Sequence, residues 1–258
     1  MRRLDGAAVS KKRLALRASP RAEARYVRDL RAIAKGVIEA TESAMAPEIA
    51  HRGTREDIAS VSKHGAKLDT VIGGLRVHMA RVVPPAFDRM SAEVSKKNAA
   101  GMKLLGIQPG RSGLSPVVAM ARDENIRLVE NAGREYAQSV RDIFDDPDNF
   151  GLRVEELQDL LEERGEVFGS SAERIARDQT LKTNAAITKE RHQQAGITQY
   201  VWSTSKDERV RPSHAELEGE TFSWDDPPEV DGEPANPGEP ILCRCVPLPV
   251  LDLGEDEE

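Results

Sequence analysis

Apolar residues recur at three- and four-residue spacing through most of the chain. Between Pro20 and about Ala46, the positions Val27, Leu30, Ile33, Ala34, Val37 and Ile38 line one side and leave Arg and Glu on the other, so this stretch predicts an amphipathic helix that Pro47 ends. Thr54 followed by Asp57 resembles a capping box for a second helix carrying Ile58, Val61, Leu68, Val71 and Ile72, with Gly73-Gly74 as a break. A third helical segment is expected after Pro84-Pro85, running to about Lys103. Gln108 to Ser115 (QPGRSGLS) reads as a loop, with Ser115 as N-cap and Pro116 at the first helical position. Val118, Ile126, Val129, Tyr136, Val140 and Ile143 support a long helix or helix pair interrupted near Gly133, which DDPDNFG (145–151) stops. A short helix at about 154–164 and a longer one at about 172–194 follow, separated at Gly169-Ser170-Ser171, with Gly196 suited to the C′ position.

The pattern changes at Ile197. TQYVWST (198–204) has the β-branched and aromatic content of a strand, Thr221 to Trp224 predicts a second, and Ile241 to Leu248 a third. The intervening DDPPEVDGEPANPGEP (225–240) is too polar and proline-rich to build a core, and is expected as an extended loop over the small sheet. The fold class is therefore mainly α with a small α+β C-terminal module, in which a helix at about 171–195 packs on an antiparallel sheet. The expected divisions are a helical region at 1–165, the α+β module at 166–250 and an acidic tail at 251–258. Trp202, Leu217, Phe222 and Val246 are the expected core of the module.

Composition narrows this picture. With 39% hydrophobic but only 4% aromatic residues in 258, few large rings are available to fill a wide sheet sandwich, which favours helices. No apolar run reaches bilayer-spanning length and no secretory core opens the chain, so a soluble protein made inside the cell, with no membrane partner, is expected. Cys243 and Cys245, one residue apart, give no disulfide framework. The net charge of −7 conceals an asymmetry: eleven Lys/Arg against three Asp/Glu in residues 1–35 leave a surplus of +8, so the remainder carries −15. That arm, with Arg13, Arg17, Arg21 and Arg25, would suit DNA phosphates or an acidic protein surface; a solvated helix face accounts for it equally well.

Two features near the C-terminus could carry chemistry. His214 and, about thirty residues later, Cys243-Arg244-Cys245 offer imidazole and thiolate donors that suit zinc. A closed structural site needs four donors, so Asp207 or a water would have to complete it. The alternative, ranked first, makes both cysteines small buried hydrophobes on one face of a strand with His214 hydrogen-bonded nearby. Asp207, Glu208, Arg211 and His214 also share one short loop, which a hydrolase or transferase could use. The simpler account has Asp207 capping the turn, and Arg209 and Arg211 pairing with the acidic 225–239 loop. The other histidines, His51, His64, His78 and His192, have no ligand spacing, and no phosphate-binding glycine loop is present.

The order of these elements is more specific than any one of them. Trp202 on a strand, Asp207 and Arg209 in the turn after it, Arg211 and His214 at the turn's end, then Leu217, Gly219, Phe222 and a closing Cys243-Arg244-Cys245 resemble the Mu F-like minor head proteins of tailed bacteriophages, over about residues 120–250. The resemblance implies a non-enzymatic minor capsid protein of head morphogenesis. It would act with portal and capsid or scaffold proteins at the portal vertex, in the host cytoplasm during assembly and then in the virion near packaged DNA. A toxin or enzyme domain fused behind the module is not expected, since the chain ends soon after Cys245.

The chain departs from the family pattern in three places. Some members carry Cys-x-x-Cys where this chain has Arg211-Pro212-Ser213-His214, a histidine where it has Gly238-Glu239-Pro240, and Thr-Glu where it has Asp178-Gln179. Metal binding is therefore not implied by the resemblance. Two readings from other classes stay beside it: a zinc-stabilised nucleic-acid-binding module, and an enzyme using Asp207 and His214.

Overall fold

The computed structural model describes residues 14–51, 57–109, 114–149 and 151–251. Five α-helices lie among them: α1 Pro20–His51, α2 Asp57–Leu104, α3 Leu114–Asp145, α4 Val154–Gln194 and the single-turn α5 Pro212–Ala215. A 3-10 turn at Pro147–Asn149 precedes α4. The strands are β1 Gln199–Ser203, β2 Thr221–Ser223, β3 Glu229–Val230, β4 Glu233–Pro234 and β5 Val246–Pro249. None of the described helices is long and apolar enough to cross a membrane. The mainly helical architecture with a small antiparallel sheet agrees with the pattern of the sequence.

The helices are longer and fewer than the punctuation predicts. Ser19 caps α1 by accepting the Ala22 N–H (3.2 Å), and Pro20 fills the first position, where a missing N–H costs nothing. The helix then runs through Pro47 to His51. The breaks expected at Gly73-Gly74 and Pro84-Pro85 do not occur, because both pairs lie inside α2. An interior proline costs about 3 kcal/mol. Leu75, Met79, Val83 and Phe87, all buried on one side of the same helix, offset that cost through packing. Gly133 does not interrupt α3; it is buried against Leu75 and Phe168, which a Cβ there would meet at ordinary contact distance (3.7 and 3.8 Å). The separation expected at 169–171 is likewise absent. Gly165 lets α4 approach Ile38, Phe168 stacks on Tyr136 (5.2 Å between centroids), and buried Ala172 and Ala176 continue that face. Gly196 (φ +75°) ends α4, with Ile197 N–H bonded to His192 C=O and Gly196 N–H to Gln193 C=O, as its placement at C′ predicts. The capping box around Thr54, the middle of the loop expected at 108–115 (110–113) and the tail from 252 lie outside the described residues; Ser115 is not an N-cap, because α3 already begins at Leu114.

The chain divides into two compact units, one from residues 24–88 and 122–176, the other from 1–23, 89–121 and 177–258. Among the described residues the elements of the first are all helices; within it Tyr26 packs edge-on to Phe87 and its hydroxyl donates to Asn125 Oδ1. The second holds the sheet. Its order is β2-β1-β5, antiparallel throughout, with Trp202 opposite Pro247 and Tyr200 between Phe222 and Pro249. Central β1 is buried from Tyr200 to Ser203, so it is covered on both faces. Tyr200, Trp202, Trp224, Val230, Cys243 and Cys245 form the core, with Leu217, Phe222 and Ala235 packed against it. Of the expected core, Trp202 is at the centre, Leu217 and Phe222 at the edge, and Val246 is buried outside this cluster.

Two expectations are corrected here. The segment 225–240 is not a mere loop. Asp231-Gly232, both at positive φ (+56° and +92°), turn a hairpin that pairs β3 with β4 and delivers Val230 to the core. The CRC segment is not a strand either, since β5 begins only at Val246. Residues 241–245 take an irregular path in which Leu242 has φ +53° and its N–H bonds to Asp178 Oδ1 at 2.7 Å. A left-handed residue cannot extend a ladder, so the carboxylate of α4 takes the place of a sheet partner.

The second half of α4 carries an unusual load of buried polar groups. Arg191 donates to Ser95 C=O, Ser95 Oγ and Asn98 Oδ1, each at 2.8 Å, Asn98 donates to Thr188 (2.7 Å), and Asn184 to Leu16 C=O (2.8 Å). Each bond satisfies a group that would otherwise cost about 1–3 kcal/mol to bury. Thr183 Oγ1, Arg191 Nε and both ring nitrogens of His192 are buried without such a partner, and His192 is the most completely isolated of the three side chains. It is fully buried, its ring lies edge-on to Trp224 at 5.7 Å, neither nitrogen has a hydrogen-bond partner, and burial pushes its pKa down to about 4.

Candidate functional site

After β1, the chain turns through Asp207 and reaches α5 with Pro212 in its first turn. That short helix plants His214 in the module's interior at 3% exposure, edge-on to Trp202 (5.8 Å, 82°). The irregular 241–245 path brings Cys243 and Cys245 to the same point. His214 Nδ1 lies 3.4 Å from Cys243 Sγ and 3.5 Å from Cys245 Sγ, and the three donor atoms all fall within 4.8 Å of one another. Both cysteines are free and buried.

The two thiols are unequal. A hydrogen bond from Cys245 lowers the Cys243 pKa against the opposing effect of burial. Sharing that proton with Cys243, together with burial, pushes Cys245 up. The pair therefore favours a single proton held between the two sulfurs.

Around this centre the charged residues pair with one another. Arg211 Nη1 binds Asp231 Oδ2 at 2.7 Å and faces His214 Nε2 at 3.3 Å, while its Nη2 donates to Ile241 C=O. Ser213 Oγ donates to Asp231 Oδ1 at 2.7 Å. Asp231 Oδ2 is itself 3.5 Å from His214 Nε2. Hydrogen bonds from Ser213 and Arg211 hold the Asp231 carboxyl below its ordinary range. Asp207 is engaged elsewhere: it receives a two-pronged bond from Arg244 (2.6 Å for the Nη2–Oδ1 arm) and accepts the Arg209 N–H at 3.1 Å. The Arg244 bond brings its pKa down to about 2. Asp207 is thus a turn cap tied to Arg244, and not the fourth metal donor considered from the sequence. Arg211 pairs with the acidic segment as expected.

The remaining signature positions have structural duties. Gly219, at φ +84°, bonds through its N–H to Trp202 C=O, and Trp202 N–H returns a bond to Glu220 C=O. Phe222 stands edge-on to Trp202 at 6.3 Å. Of the basic-arm residues, Arg13 lies outside the described residues. Arg17 donates to Thr204 C=O (3.1 Å) and Arg244 C=O (3.4 Å), so it clasps the turn beside the site. Arg21 is exposed, and Arg25 is half-buried and engaged.

A cavity of about 420 Å³ opens onto His214, Cys243 and Cys245, with Arg177, Arg209 and Arg244 on its walls. The sequence reading missed Asp231 and Asp178. The Asp-Gly dipeptide at 231–232 is a hairpin signal that could have singled out the first; nothing local marks the second, whose role depends on a partner 64 positions away.

Residues 149–248 match the family model described as "Phage Mu protein F like protein". An uncharacterized protein of Haemophilus influenzae is 36% identical over 166 residues, which cover 64% of this chain and 36% of the relative. The chain thus spans little more than a third of the length of the curated relative it matches. No solved structure matches it.

Proposed function

We propose that this chain, whose residues 149–248 are a phage Mu F-like segment, is a minor head protein that acts at the portal vertex during phage head assembly. It does so as a structural component rather than an enzyme, and is retained in the virion near packaged DNA. The match carries the reading, and it falls on the segment in which Trp202, Asp207, Arg209, Arg211, Gly219, Phe222 and Arg244 occupy one folded module. Their duties there are packing, turn capping and ion pairing, which suit a rigid module that docks. Long amphipathic helices offer surfaces for a helical partner, and the basic first segment offers one for an acidic ring or DNA.

The test is co-expression of the chain with the portal and scaffold proteins of the phage or prophage that encodes it, followed by isolation of portal rings. The chain should co-purify with the rings at a fixed low stoichiometry. Rings that assemble fully and leave it behind contradict the proposal.

A further inference from the structure

We infer that His214, Cys243 and Cys245 bind a zinc ion, with Asp231 fixing the histidine and the fourth coordination position turned to the cavity. The inference stands independently of the head-protein reading and rests on three observations.

The first is spacing. Around a tetrahedral zinc with Zn–S of about 2.3 Å and Zn–N of about 2.0–2.1 Å, a sulfur and a nitrogen stand about 3.6 Å apart and two sulfurs about 3.8 Å. His214 Nδ1 is 3.4 and 3.5 Å from the two sulfurs, and the set lies within 4.8 Å. Ordinary packing explains this convergence poorly, because a single ring nitrogen offers one lone pair or one proton and can serve only one of two sulfurs along a straight bond.

The second is the outer contact of the histidine. Ligation through Nδ1 leaves the ring proton on Nε2, where Asp231 Oδ2 waits at 3.5 Å, itself fixed by Arg211 and Ser213. A carboxylate behind a histidine is the usual means of orienting a metal-bound ring. Without metal, the opposite tautomer lets Nε2 accept from Arg211 at 3.3 Å. Binding therefore releases thiol protons and moves the ring's proton contact from Arg211 to Asp231.

The third is the setting. The donors are held before any ion arrives, by the short helix under His214 and by the Asp178 bond to Leu242 beside Cys243. Among the described residues no further His, Cys or carboxylate joins the cluster, and all three residues line the cavity, where Glu23 is the one acidic lining residue and is not part of the cluster. The fourth ligand therefore comes from solvent, as a water or small anion.

The test is titration of chelator-stripped, reduced full-length chain with cobalt(II) and then zinc. One equivalent of cobalt should give a near-ultraviolet thiolate-to-cobalt charge-transfer band and the strong visible bands of a four-coordinate ion. One equivalent of zinc should abolish both. Cys243→Ser and Cys245→Ser should each lose charge-transfer intensity. Asp231→Asn should keep the spectrum while weakening zinc affinity about 10–100-fold, a loss read at a temperature where the metal-free melting curve shows the variant fully folded. Wild-type chain with no charge-transfer band, or with the weak spectrum of octahedral cobalt, overturns the site. Unchanged affinity in Asp231→Asn overturns the assignment of that carboxylate.

Discussion

Replacing Trp202 with alanine probes the packing on which the C-terminal module depends. The indole is fully buried at the centre of a three-stranded sheet and packs edge-on against His214 and Phe222. Truncating a buried aromatic to alanine costs about 3–5 kcal/mol, part of it transfer and part the cavity left behind. The two edge-on contacts place this site in the upper part of that range. For a unit of this size 1 kcal/mol corresponds to about 2–4 °C in Tm, so a fall of about 10–15 °C is expected. Trp202→Phe keeps most of the apolar volume and should lose less than half as much. The readout is thermal unfolding followed by fluorescence of Trp224, the second tryptophan of this core, so the signal reports the unit that holds the sheet. A Trp202→Ala melt within about 2 °C of wild type would refute the placement.

Further outcomes follow from single residues. Because burial lowers His192 to about 4, the folded chain refuses a proton that the unfolded chain accepts at its ordinary 6.5. Stability should therefore fall as pH drops from about 6.5 to 4 and level off below, by on the order of 3 kcal/mol at most. His192→Leu should flatten that slope in urea midpoints measured across the window. Asp207 has the depressed carboxylate pattern: its contribution is present above its ordinary 3.8 and lost as pH falls through about 2, so Asp207→Asn should have a shallower acid limb between those values. At Gly238, with φ +89°, an added Cβ would sit 2.8 Å from Ala185 Cβ. Gly238→Ala should destabilise by about 2 kcal/mol or more, read from chemical denaturation.

The existence of the long helices was legible because burial on one side imposes a 3.6-residue rhythm, which Leu30, Val37, Val129, Tyr136 and Val140 all keep. Their ends were not, because Gly and Pro act as breakers only where nothing packs against the segment that contains them. Pro84-Pro85 sits beside buried Val83, Ala86 and Phe87, and Gly165 is the small residue that lets Ile38 come close. β1 and β2 were legible from TQYVWST and the segment after Glu220. β3 and β4 were hidden because two-residue strands carry no alternation, and the prolines around them read as loop. For the site, the sequence named His214, Cys243 and Cys245 but put the cysteines on a strand. Their convergence depends on Leu242 in a left-handed conformation held by Asp178, a long-range bond with no local trace. The same holds for Asp207, whose partner Arg244 lies 37 positions along the chain.

Whether this chain is part of an assembled phage head is most directly tested by quantitative mass spectrometry of particles purified from the phage or prophage that encodes it. Peptides of the chain should be present at a few copies per particle, at a fixed ratio to the portal protein. DNA-filled, infectious particles that contain the portal protein but none of these peptides would contradict the account.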